Sequence, residues 1–369
     1  MKVWFLLSRF EQGGMERVQI HLAQGFQSCG LDTSLVVGSV MAGARQIVPD
    51  AVPLLEIAPR SKLAFPFGLW SALRRKRPDV VFTTANDVAC LMLLVRKFAF
   101  PKIRVICTQH SSISGSRRSA RGISRVKHAA LNSLMRRLLP QADRIVAVSN
   151  AVAKDMQREL ELSLASIDVV HNPVVTPEFS DLMNQKLEWP WPDHESPTVV
   201  FAGRLSAEKR LDLLVDAFAL LSTKLPARLL VLGDGPRHRW LIDQIEMRGL
   251  EDHCRLVGFQ SCPLAWIHAS DLLVLCSDFE GFGNVLVEAM ACGTQVVATD
   301  CPYGPAEVLA HGKYGQLVPC GNAQELASAM QRCLEGTAWI PEEVLKKRAG
   351  EFGLRQAVDS YLRIAGLDD

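Results

Sequence analysis

The 369-residue sequence predicts an α/β protein built from two doubly wound domains, each a parallel sheet covered by helices. Short apolar, β-branched runs alternate with longer helical patterns along the chain. The runs are almost continuously apolar, as strands buried on both faces must be. The length exceeds what one ordinary core fills and suits two. The strand–helix rhythm also comes in two series, separated by residues 173–197, whose five prolines and several acids read as a linker.

In the first series the strands are expected at 2–7, 33–37, 80–83, 104–108 and 144–148, with helices at 15–27, 67–77 and 152–160 among them. In the second, strands are expected at 198–202, 229–232, 255–257, 272–276, 295–298 and 316–318. The tail 342–365 is helical in pattern, and its packing partner cannot be read from periodicity. No short repeat or low-complexity tract interrupts this order.

Composition excludes several classes. Hydrophobic residues are 48% and charged residues 22%, as in soluble globular chains. The ten cysteines include no C-x-x-C pair, so buried reduced thiols are expected rather than a zinc ribbon, redox motif or disulfide scaffold. Residues 3–7 are too short for a signal-peptide core, and the run 89–95 stops at Arg96, far short of a membrane span.

The net charge of +2 conceals an asymmetry. Residues 1–175 carry 24 Lys and Arg against 12 Asp and Glu, whereas the remainder carries 17 against 27. Between Val105 and Ala142 there is no acid, while Arg117, Arg118, Arg121, Arg125, Lys127, Arg136 and Arg137 interleave with Ile123, Val126, Leu131, Leu134 and Met135. Such a segment is either a solvated helix face or an amphipathic surface for anionic lipid. The lipid reading is preferred, and nucleic acid is not expected because no aromatic residue is present to stack bases.

In open parallel sheets ligands bind beyond the carboxyl ends of strands, which directs attention to the loops there. "FAGRLSAEKRLDLLVDAF" (201–218) places Gly203, Arg204 and Lys209 just after a strand. The glycine admits a ligand to the backbone, and the two cations can meet one anion. A solvated turn with helix-end charges is the plainer alternative. "VLGDGPRHRWL" (231–241) superficially resembles a dinucleotide fingerprint but lacks its third glycine, so a tight turn with Pro236 at the first helical position is expected.

"SDFEGFGNVLVEAMACG" (277–293) brackets a glycine turn with two carboxylates, Glu280 and Glu288. A helix is expected from Asn284, with Gly281 and Gly283 leaving its amide end open to a phosphate and Gly293 as its C-cap. Glu288 lies one turn in, and helical side chains lean toward the N-terminus. The spacing suits a ligand with hydroxyls on both sides of a pyrophosphate. Taken alone, the two acids would be read as a structural carboxylate and a surface residue.

Together these motifs resemble retaining glycosyltransferase family 4, of the GT-B type. "FAGRLSAEK", "LLVLGDGP", "LVGF", "SDFEGFGNVLVEAMACGTQVVATD" and "GPAEVL" match its C-terminal half in order and spacing, with Glu280 and Glu288 as E-x7-E. "RFEQGGMERV", "VICTQH", "VAVSNAVAKDM" and "HNPV" match its N-terminal half more loosely. The resemblance implies two Rossmann-like domains facing a cleft: residues 1–172 for the acceptor, 173–345 for the nucleotide sugar, and 346–369 crossing back to the first domain.

It further implies that Arg204 and Lys209 hold the donor diphosphate, Glu288 the ribose and Glu280 the transferred sugar. Gly203, Phe259 and the amides of Gly283, Asn284 and Val285 complete the donor site, and Gly13 and Gly14 let the first helix approach the same phosphates. His110 is placed near the transferred sugar, although a lone histidine is more often a core or loop residue. Arg117, Arg118, Arg121, Arg125 and Lys127 are assigned to the acceptor or membrane side.

No D-x-D triplet occurs, so no metal or other cofactor is expected. The expected activity is a retaining hexosyl transfer on a lipid-linked or lipopolysaccharide-type acceptor, at the cytoplasmic face of the plasma membrane. UDP is preferred to GDP on family frequency alone. Alternatives are a catalytically silent nucleotide- or membrane-binding scaffold, an NAD-dependent enzyme resting on "GDG", and a pyridoxal phosphorylase, for which the chain is short.

Overall fold

A computed structural model describes residues 1–41, 43–58, 62–119, 122–193 and 195–367. The chain divides into two compact units, Met1–Pro173 with Leu354–Asp369, and Val174–Gly353.

The first unit runs β1 (Lys2–Phe10), α1 (Gly14–Ser28), β2 (Asp32–Val40), β3 (Leu54–Glu56), α2 (Phe65–Lys76), β4 (Val80–Thr83) and α3 (Asn86–Ala99). It continues with β5 (Arg104–Gln109), α4 (Ile113–Ser119), α5 (Ile123–Leu138), β6 (Arg144–Ala147), α6 (Asn150–Leu160) and β7 (Ile167–Val169). Its strands form one parallel sheet in the order β3-β2-β1-β4-β5-β6-β7. Right-handed crossovers place α1 on one face and α2, α3, α5 and α6 on the other. The order reverses between β1 and β4, which makes their carboxyl ends the switch point of this sheet.

The second unit runs α7 (Phe179–Met183), β8 (Thr198–Ala202), α8 (Leu211–Ser222), β9 (Arg228–Leu232), α9 (His238–Glu246), β10 (Cys254–Gly258), α10 (Leu264–His268) and β11 (Leu272–Leu275). It ends with α11 (Asn284–Cys292), β12 (Gln295–Thr299), α12 (Pro305–Val308), β13 (Gln316–Val318), α13 (Ala323–Leu334) and α14 (Glu342–Gly350). Its sheet is parallel in the order β10-β9-β8-β11-β12-β13, with the switch point between β8 and β11. Fully buried Val199, Phe201, Leu229, Val231 and Val274 pack this sheet against Leu214 and Phe218 of α8 and Met330 of α13.

The final helix α15 (Leu354–Ala365) belongs to the first unit. The passage back therefore comes at 354 rather than at 346, because α14 stays packed on α11. Tyr361 explains the docking of α15: its ring lies 5.7 Å from Phe82, which stacks on Phe5 at 5.0 Å. Phe26 of α1 closes the cluster edge-on to both phenylalanines. Gly25 lets α1 and α15 approach, since a Cβ there would stand 2.4 Å from Val358 Cγ2.

The segment 173–197 is a docked piece of the second unit rather than a free linker. Phe179 and Trp191 are buried, and Trp189 stacks on Trp266 of α10 at 6.3 Å. The Arg228 and Arg255 guanidiniums lie 5.2 and 5.6 Å from the Trp191 ring, a cation–π sandwich that its prolines did not announce. Pro236 sits in the turn before α9, which begins two residues later at His238.

Candidate functional site

The switch point of the second sheet brings together the loops that leave β8 and β11. The first carries Gly203, Arg204 and Lys209; the second carries Ser277, Asp278, Glu280 and Gly283. Lys209 Nζ donates to Glu280 Oε1 at 2.6 Å, and Ser277 Oγ donates to the same oxygen at 2.7 Å. Thr299 Oγ1 in turn holds the Ser277 carbonyl at 2.7 Å. Among the described residues the other Glu280 oxygen accepts no hydrogen bond. Burial works against the Lys209 ammonium, but the charge and hydrogen bond of Glu280 outweigh it and hold its pKa above the usual lysine value.

Gly203 is overlain by the lysine stem, with Lys209 Cε 3.8 Å from where a Cβ would stand. Behind it lies the "GDG" turn: Gly203 N donates to Leu232 O at 2.9 Å, and a Cβ on Gly233 would reach within 1.9 Å of Gly203 O. The "GDG" glycines thus back the loop of Gly203 and Leu205. Gly233 N bonds Gly258 O at 2.8 Å, which puts the exposed Phe259 next in that row of loops. Arg204 is exposed at the tip of its loop.

Gly283 is the N-cap of α11 at φ 90°, where an L side chain is strained. Asn284, Val285 and Glu288 are the half-buried residues of the first turn and a half, while Leu286, Val287, Ala289 and Met290 are buried. The two acids therefore occupy different settings: Glu288 on the open face of α11, Glu280 in the loop before it. Gly293 closes the helix in the left-handed conformation.

In the first unit, Gly13 is the N-cap of α1. The amide end there already faces an anion of its own: a Cβ on Gly13 would lie 2.6 Å from Glu16 Oε2, and Glu16 Oε1 accepts from Glu11 N at 3.3 Å. A buried carboxylate at Gly13 and Gly14 opposes a phosphate at the same amides.

His110 follows β5. Its Nε2 lies 3.2 Å from the Gln19 side-chain amide, a hydrogen bond that joins the two. Burial pushes its pKa down to about 4, with the Asn172 side chain working weakly the other way. The ring is a neutral hydrogen-bonding group at neutral pH. Nδ1 is buried with no hydrogen-bond partner among the described residues.

The basic segment separates into two kinds of cation. Arg117 is bound to Glu159 of α6 at 2.8 Å and Arg136 to Glu161 at 2.9 Å, so both tie α4 and α5 down. Arg118, Arg125 and Lys127 are exposed, and Arg121 lies outside the described residues.

Two family descriptions tile the chain. Residues 12–177 match "Glycosyltransferase Family 4" and residues 185–352 match "Glycosyl transferases group 1". The chain belongs to glycosyltransferase family 4. Its two parallel-sheet units are the Rossmann-like halves of the GT-B fold.

This glycosyltransferase is 28% identical to the N-acetyl-alpha-D-glucosaminyl L-malate synthase of Bacillus anthracis over 315 residues, 84% of this chain and 76% of that one. It is 25% identical to the lipopolysaccharide 1,6-galactosyltransferase of Salmonella typhimurium over 78% of this chain and 73% of that one. The fold matches Anabaena Alr3699/HepE, crystallised with UDP and glucose, at a TM-score of 0.81 and 21% identity over 99% of both chains.

Several neighbours of the candidate residues were not singled out by the motifs. Ser277 had a usable signal, since a serine three residues before a glutamate is a capping-like spacing. Arg210 and Asp278 were hidden among ordinary surface charges, Asn172 stood unremarked within "HNPV", and Gln19 has no local signature.

Proposed function

We propose that this glycosyltransferase moves a hexose from a UDP-sugar to a lipid-linked or lipopolysaccharide-type glycan, with retention of configuration and without a metal. One observation carries the donor half: a half-buried Lys209–Glu280 pair stands at the β8/β11 switch point, in the loops that lead into α8 and α11. Lys209 and Arg204 would take the diphosphate, whose charge grows as the sugar–phosphate bond breaks. The free oxygen of Glu280 would hold the sugar and Glu288 the ribose. The amides of Gly283, Asn284 and Val285 would receive the sugar–phosphate end.

A carboxylate whose oxygen is shared by an ammonium and a hydroxyl is a poor nucleophile. This favours attack on the same face as the departing phosphate, which accepts the acceptor's proton, over a covalent glycosyl–Glu280 route. His110, neutral and buried, would serve as a hydrogen-bonding contact to the sugar rather than an acid. The crystallisation of the Anabaena neighbour with UDP and glucose supports the choice of nucleotide, and the name of the Salmonella relative supports the class of acceptor.

An anionic bilayer is the proposed setting, at the inner face of the plasma membrane. No helix among the described residues is long and apolar enough to cross a membrane. Leu63 and Phe67 at the start of α2, and Ile123 and Val126 at the start of α5, are 70–86% exposed. Helices that follow parallel strands begin on the carboxyl side of the sheet, where ligands bind. Apolar side chains among Arg118, Arg125 and Lys127 suit insertion beneath anionic headgroups.

A panel of nucleotide sugars assayed for nucleotide release tests the reading. Release should occur with a UDP-hexose and persist in EDTA. Glu280→Gln and Lys209→Ala should each lower it on the order of 100-fold or more. No release from any donor would favour a silent scaffold, and loss of activity on chelation would remove the metal-free step.

A further inference from the structure

We propose that Arg210 is a positioning residue that keeps the Lys209 loop and the Glu280 loop at fixed spacing when the donor arrives. This inference rests on the donor site proposed above.

The two loops are joined by adjacent side-chain links. One is the half-buried Lys209–Glu280 pair; the other, one residue on in the first loop and two back in the second, is Arg210 Nη1 to Asp278 Oδ1 at 2.9 Å. The remaining links are Asp278 N to Glu208 O at 2.8 Å and Cys276 Sγ to Lys209 O at 3.1 Å. A diphosphate would draw on the first link, because the Lys209 ammonium must then serve two anions. The second points to no ligand group and is left intact.

Arg210 is anchored for this task from behind. Its Nε donates to both Asp212 oxygens at 3.0 and 3.1 Å, and its Nη2 donates to Asp212 Oδ2 at 2.8 Å. Asp212 lies in the first turn of α8, so the guanidinium bridges that helix to the loop of Glu280. The fork geometry that permits this belongs to arginine and not to lysine.

The backbone at Arg210 has φ 49° and ψ 53°, the left-handed region where glycine is preferred. A glycine would relax the turn and remove the brace at once. Strain relief and function therefore have opposite signs at this position, which separates positioning from mere structural support.

The test compares wild type with Arg210→Gly, Asp278→Asn and Arg210→Lys, by amide hydrogen exchange and donor kinetics. In Arg210→Gly the amides of residues 277–283 should exchange faster while those of α8 stay protected, and the melting temperature should hold or rise. Donor kcat should fall about tenfold or more, with KM shifted less than kcat. Asp278→Asn should move exchange and kcat in the same direction without altering the backbone, and Arg210→Lys should fall between.

Wild-type exchange at 277–283 in Arg210→Gly, or an unchanged kcat, would overturn the proposal. So would a loss of activity accounted for wholly by a lower melting temperature. Absence of nucleotide release by the wild type would sink the transferase reading alone, since the exchange data decide the brace on their own.

Discussion

At Lys209, burial and charge pull in opposite directions and charge wins. The ammonium stays protonated through neutral pH because Glu280 Oε1 stands 2.6 Å from it. His110 shows the reverse outcome, since no carboxylate faces it. Its folded-state pKa of about 4 lies below the ordinary 6.5. Between those values the unfolded chain binds the proton and the native one does not, so this group makes stability rise with pH across that window. His110→Gln should flatten the rise by on the order of 3 kcal/mol in urea titrations from pH 4 to 7. Identical slopes in the two proteins would mean that the ring takes up its proton equally in the folded and unfolded states. Glu280, Glu288, Lys209 and Arg204 were legible because strand, turn and helix follow one another within a few residues. Gln19 and Asn172 were not, because they meet His110 only through the order of strands.

Among the elements, the loops at the β8 edge stack in a row, and glycine is what allows the stacking. Gly233 has φ 138°, and its α-hydrogens face Gly203 O. Gly233→Ala would need the Gly203 loop to retreat from a contact of 1.9 Å. The expected loss is about 1–3 kcal/mol of stability, with weaker UDP binding by calorimetry than that loss alone would cause. Unchanged affinity would show that the "GDG" turn does not support the donor loop. The left-handed Arg210 costs about 1–2 kcal/mol in the same terms. Its ion pairs with half-exposed aspartates return little of that through stability, which is why a role in positioning accounts for it better. Strand 80–83, strand 198–202 and the start of α11 at Asn284 were read from apolar runs and turn residues alone. Strands β3 and β7 were missed: each is three residues long at or near an edge and carries too few apolar positions to stand out.

On the scale of the whole molecule, charge is divided along the chain, 24 cations to 12 acids in residues 1–175 and 17 to 27 in the rest. That division is a statement about partners and not about fold. Neutralising Arg118, Arg125 and Lys127 together should reduce co-sedimentation with anionic liposomes and leave the melting temperature unchanged. Replacing Phe67 and Ile123 by serine should do the same even at high salt. Arg117→Ala should instead lower stability, because it removes the 2.8 Å ion pair to Glu159 and leaves the longer Arg158 contact at 3.8 Å. Equal binding by all variants would remove the bilayer from the proposal.

The sequence by itself determined the α/β class, the two domains, the family and the loops that meet at the switch point of the second sheet, because each is encoded in spacings shorter than one strand–turn–helix unit. Only the tertiary structure decided that Glu280 is paired with Lys209, that Arg117 is spent on Glu159, and that the proline-rich segment is docked by tryptophans. Those contacts join residues far apart in the chain, and the strand order that makes them neighbours leaves no trace in local pattern.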